Sequence, residues 1–354
     1  MVLRGQAVDG GRAVSGAGQC AYLGPSGTFC EQAVGALHPD GEFEPVAFGS
    51  IEATLDAVRS GQAERAVVPI ESSVEGGVNA TLDELATGPP LLIDAEVIVP
   101  VEFALLVRPG TELGDIKVVG GHPVAQPQCR QWLAKHLPDA VWRSALSNAD
   151  AARQVAGSEL DAALAGSFAA RYYRLMVLVD GVHDNAAAVT RFVEVSLPGT
   201  LPAATGADRT SVIAYLTDDH PGALMDILSQ FAVRGVNLSR IESRPTGEGI
   251  GRYCFFIDCE GHVAAARVGE ALMGLRRTCS DVRFLGSYAR ADGRVARGGP
   301  TARPAGTGGP GTGGPGTGVP GRDSSDAEFT DAAAWLDRIR SGLSLGRTML
   351  QIRP

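Results

Sequence analysis

Several features that would narrow a function at once are missing from this chain of 354 residues. Basic residues are not in excess. Lys and Arg number 31 against 40 Asp and Glu, a net charge of −9, which removes any general attraction to nucleic acid or an anionic membrane. An anionic small molecule would have to meet a locally positive pocket. No apolar run is long enough to span a bilayer, because the most apolar stretch, 91–107, is interrupted by Asp94, Glu96 and Glu102. The cysteines, at 20, 30, 129, 254, 259 and 279, form no C-x-x-C pair, which favours reduced thiols in a cytoplasmic protein over a disulfide framework and gives no support for a metal site. Residues 1–19 are rich in Gly and Ala, carry Arg4 and Arg12 and lack the apolar core of a secretory signal, so an extension without fixed structure is expected.

What is present is the raw material of a soluble globular protein of two or three domains, with 44% hydrophobic residues spread along the chain. From Cys20 to Leu197, short β-branched runs alternate with Ala-rich helical segments, the pattern of an α/β fold with mainly parallel strands. Strands are expected at 66–70, 117–119 and 162–165, and helices at 51–60, 126–136 and 148–156. A breaker-rich linker, 198–208, then leads into 209–290. There a strand at 210–216, a helix at 222–234 with Leu224, Ile227, Leu228 and Phe231 on one face and Pro221 in its first turn, strands at 236–244 and 252–258, a helix at 263–276 and a strand at 282–286 give the ferredoxin-like order βαββαβ. Gly/Pro/Thr repeats in 291–324 read as a disordered tether. In the final segment, 325–354, a helix at 326–341 with Phe329, Ala333, Leu336 and Ile339 at helical spacing is expected to dock on this chain or on a neighbouring subunit.

Four motifs carry chemistry. Tyr22-Leu-Gly-Pro-Ser-Gly-Thr-Phe29 joins a strand to a helix, leaving backbone N–H groups and a positive dipole end where an anion could sit. With Val67-Val-Pro-Ile-Glu-Ser-Ser73, Gly121-His-Pro-Val-Ala-Gln-Pro-Gln-Cys129 and Val189-Thr-Arg-Phe192, it resembles the prephenate dehydratases. In that family the later three read Pro-Ile-Glu-Asn-Ser, Ser-His-Pro-Gln…Gln-Cys and Thr-Arg-Phe. The resemblance implies a two-lobed, periplasmic-binding-protein-like catalytic domain at 20–197, with its site in the cleft between two α/β lobes. It also implies conversion of prephenate to phenylpyruvate, water and CO2 without a cofactor, in L-phenylalanine biosynthesis.

Carried over, Thr190 would donate toward the leaving hydroxyl, with Gln128, Glu71 and Ser72 as the other catalytic residues. Ser73, Thr28, Arg191 and Phe192 would contact substrate, and His122 reads as a turn histidine. A threonine hydroxyl is too weak an acid to protonate a leaving group unaided, so its part is hydrogen bonding; Gln128 could donate to a carboxylate without bringing charge. Arg191 could instead pair with a structural carboxylate, and Glu71 could be only a hinge acceptor. Three positions depart from the family pattern: Ser72 for Asn, Gly121 for Ser and Ala188 for Asn.

Residues 219–224, 234–238 and 241–245 likewise resemble the ACT domain of these enzymes. The resemblance implies L-phenylalanine as an allosteric ligand bound between paired ACT domains by Gly222, Ala223, Leu224, Asn237, Leu238, Glu242, Ser243, Arg244 and Pro245, in a homodimer or homotetramer. Glu242 and Arg244 lie two apart on a strand and share a face, so they could pair with each other or hold a neighbouring chain. No N-terminal helix long enough for a fused chorismate mutase is evident, so a monofunctional enzyme is expected. Two other readings remain at this point: a paralogue that decarboxylates prephenate without aromatising it, and a non-catalytic amino-acid sensor.

Overall fold

The structure, a computed structural model, describes residues 18–216, 220–247, 249, 252–295 and 325–342. The expected N-terminal extension, most of the tether and the C-terminal tail therefore lie outside the described residues, although Gly18 and Gln19 belong to the first strand.

The first lobe contains β1 (Gly18–Leu23), α1 (Phe29–Leu37), β2 (Phe43–Phe48), α2 (Ile51–Arg59), β3 (Arg65–Ser72), β4 (Gly76–Gly77), α3 (Asn79–Thr87) and β5 (Leu92–Pro100). The second contains β6 (Ala104–Val107), β7 (Val118–Gly121), α4 (Ala125–Gln128), α5 (Arg130–His136), β8 (Val141–Ser144), α6 (Asn148–Ala156), β9 (Ala162–Ala165), α7 (Ala169–Tyr173) and β10 (Met176–Val179). β11 (Val189–Ser196) then returns to the first sheet, giving strand orders β2-β1-β3-β11-β5 and β10-β6-β9-β7-β8. The chain thus crosses between lobes twice, and the crossings lie side by side, with Val101 N donating to Ala188 O and Val182 N to Phe103 O, both at 2.9 Å.

In each sheet four of the five strands on the main path run in one direction, as expected, and one runs against them. β11 runs antiparallel to both β3 and β5, and β6 antiparallel to both β9 and β10, because a strand entering from the other lobe arrives from the opposite end. The helix expected at 126–136 is broken at Cys129, whose backbone (φ −121°, ψ 14°) leaves the helical region.

The third unit is β12 (Asp208–Tyr215), α8 (Ala223–Ala232), β13 (Leu238–Pro245), β14 (Tyr253–Glu260), α9 (Ala266–Thr278) and β15 (Asp281–Ala289), with sheet order β13-β14-β12-β15, the ferredoxin-like arrangement. Pro221 precedes the cap of α8 and is not in its first turn; Gly222, in the left-handed conformation, is the cap. On α8, Ile227 and Phe231 are buried, but Leu224 is exposed.

This sheet does not hang from a linker. One face shares a core with the first lobe, in which Ile213, Tyr215, Phe256 and Leu285 pack with Val68, Leu85, Val193 and Val195. Tyr215 Oη donates to Ala86 O, and Arg283 to Leu85 O and Gly88 O, each at 2.8 Å. The other face carries α8 and α9, and α10 (Asp326–Arg340) packs on α9 of the same chain. Ser325 and Glu328 form a capping box at its start.

The buried stripe of α10 is Ala332, Trp335, Leu336 and Ile339; Leu336 and Ile339 are buried as expected, whereas Ala333 and Phe329 are exposed, Phe329 lying under Arg277. Emptying the Trp335 site should therefore cost about 3–5 kcal/mol of the stability of this unit. Phe329→Ala should cost about 1 kcal/mol or less. Denaturant titration of the two variants checks this, and a larger loss for Phe329→Ala would reverse the assignment of the docking face.

Candidate active site

Three of the expected catalytic residues converge on the hinge. Thr190 and Ser72 are directly opposite each other on β11 and β3. Ser73 ties the end of β3 to the second crossing, its N–H donating to Val189 O at 2.9 Å and its Oγ accepting from Val189 N at 3.0 Å. Gln128, at the end of α4, accepts at its backbone carbonyl from Asp184 N of that crossing at 2.7 Å, while its side-chain amide donates to Val124 O at 3.2 Å. Ser72 Oγ accepts from Val74 N and Glu75 N at 3.2 and 3.4 Å, shaping the loop, so its own proton is available to a further acceptor. Thr190 is half-buried and its hydroxyl makes no hydrogen bond among the described residues.

A bulge decides where the neighbouring side chains point. Phe192 faces Pro69 and Arg191 faces Glu71, so Ile70 is the extra residue on β3. Beyond it the alternation is reversed. Phe192 lies with Tyr22, Val67 and Val99 on the face that carries α1, and Thr190, two residues before it, shares that face. Arg191 and Glu71 point to the opposite face, toward the ferredoxin-like sheet.

Three expectations are corrected by this. Glu71 is not beside Thr190; its carboxylate accepts from Arg191 Nε at 3.1 Å and stands 3.9 Å from Arg240 of β13. Arg191, expected to contact substrate, is 6% exposed and binds Glu71, Glu96 at 3.0 Å and Asp258 of β14 at 2.6 Å. Phe192 is a core residue, 2% exposed.

Burial works against charge on both Arg191 and Asp258 and is the largest single influence on each, and only their several partners together outweigh it. With Arg240, Arg209 and a hydrogen bond from Ser211 adding to the effect of Arg191, the Asp258 carboxyl is lowered to about 2. Arg191 is raised well above its ordinary value by Asp258, Tyr288, Glu96 and Glu71 against the opposing effect of burial.

A cavity of 180 Å³ opens between the lobes, lined from the first lobe by Leu23, Gly24 and Gly27–Cys30 and from the second by His122, Leu146–Asn148 and Gly166. Thr28 is there as expected, but as the N-cap of α1, donating to Leu23 O at 3.1 Å and accepting from Glu31 N at 3.4 Å. Ser147 caps α6 in the same way, accepting from Asp150 N at 2.9 Å. The cavity therefore lies between two helix N-termini, and no Lys or Arg lines it. Its positive character comes from backbone dipoles. Thr190, Ser72 and Gln128 do not line this cavity.

His122, read from the sequence as a turn residue, holds its turn by accepting from Val124 N at Nδ1, at 3.4 Å, and also lines the cavity. Asn148, which accepts from His122 N at 2.8 Å, was not singled out in the sequence; a Ser-Asn pair opening a helix is its only local signal. At Gly121 a side chain would meet the Trp142 ring at 2.8 Å, so the glycine here is matched to a bulky neighbour. Ala188 is buried, and its carbonyl closes the hinge.

In the ferredoxin-like unit, Glu242 and Arg244 share a face but do not pair with each other. Glu242 pairs with Arg240, while Arg244 binds Asp83 at 2.7 Å and Asn79 at 2.8 Å on α3. Gly222, Ala223 and Leu224 open α8, which has no side-chain cap, and Asn237 precedes Leu238, the first residue of β13, whose outer edge is unpaired among the described residues. Elsewhere Cys20, His38 and Glu194 bring their polar atoms within 4.8 Å of one another, but His38 is hydrogen-bonded to Glu194, which also faces Arg65. Burial pushes the Cys20 thiol up to about 12, away from the thiolate a metal needs.

Comparison with known proteins shows the family. The family model for prephenate dehydratase matches residues 20–199. The chain belongs to the prephenate dehydratase family. It is 52% identical over 275 residues to the prephenate dehydratase of Mycobacteroides abscessus, spanning 76% of this chain and 89% of that one. The crystal structure of the Arthrobacter aurescens prephenate dehydratase in complex with L-Phe is 45% identical, covering 91% of this chain and 99% of that one at a TM-score of 0.75. A quorum-quenching acylase, GqqA, is 30% identical and covers 78% of this chain and 99% of its own at 0.70, so related folds carry different chemistry and the site must decide.

The dehydratase should lose stability in acid through Asp258. With a folded pKa of about 2 against an ordinary 3.8, its contribution is complete above the unfolded value and lost as pH falls toward 2. That contribution is on the order of 2 kcal/mol. Denaturation series between pH 5 and pH 2 (about that range) on wild type and Asp258→Asn should show a shallower acid loss in the variant; parallel curves would mean the carboxyl is not depressed.

Proposed function

We propose that the enzyme converts prephenate to phenylpyruvate with loss of water and CO2, in L-phenylalanine biosynthesis, and that phenylalanine feeds back on it. Residues 20–197 form a catalytic domain of periplasmic-binding-protein-like type, 198–208 a linker, and 209–290 an ACT regulatory domain. The Thr190–Ser72 pair at the hinge of a family member carries this assignment.

Prephenate bears two carboxylates and a ring hydroxyl. The N-termini of α1 and α6 supply backbone N–H donors for carboxylates, and Gln128 an uncharged donor. Thr190 hydrogen-bonds to the departing hydroxyl, which leaves with its C–O electron pair as the pair of the broken C–CO2 bond enters the ring, a proton from solvent completing the water; aromatisation drives the step and no redox partner is required. Positioning and donation then supply the acceleration. Closure of the two crossings would bring the hinge residues and the helix N-termini around one substrate. Glu71, turned to the other face, takes no part in proton transfer.

For regulation, an amino acid needs acceptors for its ammonium and donors for its carboxylate. The uncapped start of α8 offers N–H groups and the open edge of β13 offers both. Leu224, Met225 and Ile241 are exposed beside them, which supports pairing of two such units, in a dimer or tetramer, around the ligand.

A product assay decides. With prephenate, wild type should form phenylpyruvate, read as the enol in alkali, and Thr190→Ala should lower kcat by about 10²–10⁴. Prephenate consumed without an aromatic product would replace dehydration by simple decarboxylation, and no turnover would leave a binding protein.

A further inference from the structure

The regulatory unit touches the catalytic lobe at the loop and strand that carry Ser72 and Thr190. Glu242 of β13 sets its carboxylate against Gly77, so that a side chain there would have to displace it, and Arg244 holds Asn79 and Asp83 at the start of α3. Between these contacts and the hinge runs a continuous chain of charges. Glu242 pairs with Arg240; Arg240 lies 4.0 Å from Asp258 and 3.9 Å from Glu71; Asp258 binds Arg191 at 2.6 Å; and Arg191 is the residue after Thr190. Asp258 is 3% exposed, and its second oxygen accepts from Ser211 Oγ at 2.7 Å, so it cannot follow Arg240 or Arg191 without disturbing the other.

We propose that Asp258 is a positioning residue for the Thr190–Ser72 edge: through Arg191 it fixes the strand bearing Thr190, and through Arg240 it registers what is bound at the edge of β13. This rests on the reading of β13 and α8 as the phenylalanine site. An amino acid seated at the start of α8 and the outer edge of β13 shifts that edge strand, and with it Arg240 and Glu242, whose side chains face the catalytic lobe. That shift moves Arg240 relative to Asp258, and the buried Arg191 answers. Inhibition then follows from unequal affinity of the ligand for the two arrangements.

The test compares wild type, Asp258→Asn and the milder Ser211→Ala. Turnover of prephenate is titrated with L-phenylalanine, and phenylalanine binding is measured separately by calorimetry. Wild type should be inhibited. In Asp258→Asn, kcat should fall several-fold with KM for prephenate unchanged, phenylalanine should still bind, and the inhibition it causes should drop at least about fivefold, the lower end of ordinary coupling. Ser211→Ala should shift the same way by less, and it decides alone if Asp258→Asn does not fold.

Full inhibition in both variants would overturn the coupling while leaving the regulatory site intact. Binding and inhibition lost together would reduce Asp258 to a merely structural residue and equally overturn it. A wild type that turns prephenate over without binding phenylalanine would instead remove the regulatory reading, and this proposal with it.

Discussion

One buried guanidinium organises the molecule. Arg191 gathers Glu71 from β3, Glu96 from β5 and Asp258 from β14, so that strands of two sheets meet on one side chain. Bringing these charges out of water is costly, and only near-complete pairing offsets that cost; Arg209 on Glu96 and Ser211 on Asp258 supply what Arg191 alone does not. Around this polar centre the apolar cluster of the first lobe continues into the ferredoxin-like sheet. The two units are therefore one packed body, and the strand with Thr190 on its α1 face has its other face fixed by that packing.

The second lobe is attached differently. It joins the first through two adjacent crossings and through contacts at the cleft rim, where Phe29 meets Phe168 edge-on at 5.4 Å and Tyr173 donates to Ser26 O at 2.7 Å. The cavity lies between lobes joined only by these contacts, while the hydroxyl proposed to act on substrate belongs to the packed body of the first lobe and the ferredoxin-like sheet. That division suits a reaction limited by positioning, since remote contacts can orient the substrate against a fixed donor.

Much of this was legible in the residues. The ferredoxin-like order followed from alternating periodicities, and strand 162–165 and helix 148–156 fall where their patterns place them. Motif resemblance located the hinge. The role of Glu71 was not legible, because counting by two along β3 from Val67 puts it on the same face as Thr190. A single extra residue, Ile70, reverses that, and nothing local in Val-Val-Pro-Ile-Glu announces a bulge. The antiparallel entry of β11 and β6 was equally hidden, since strand direction depends on which lobe the chain comes from. On α10 Leu336 and Ile339 were placed rightly but Phe329 and Ala333 were not, because Phe329 and Trp335 both suit an apolar face and only packing against α9 chooses between them.

The claim that the two units are joined through Arg191 is tested most directly by a double-mutant cycle. Unfolding free energies of wild type, Arg191→Gln, Asp258→Asn and the double variant give the coupling between the two residues. A shared buried network predicts non-additivity toward the upper part of the roughly 0.5–3 kcal/mol range for residues in contact. Additivity within about 0.3–0.5 kcal/mol would mean the side chains act independently and that the junction holds by apolar packing alone.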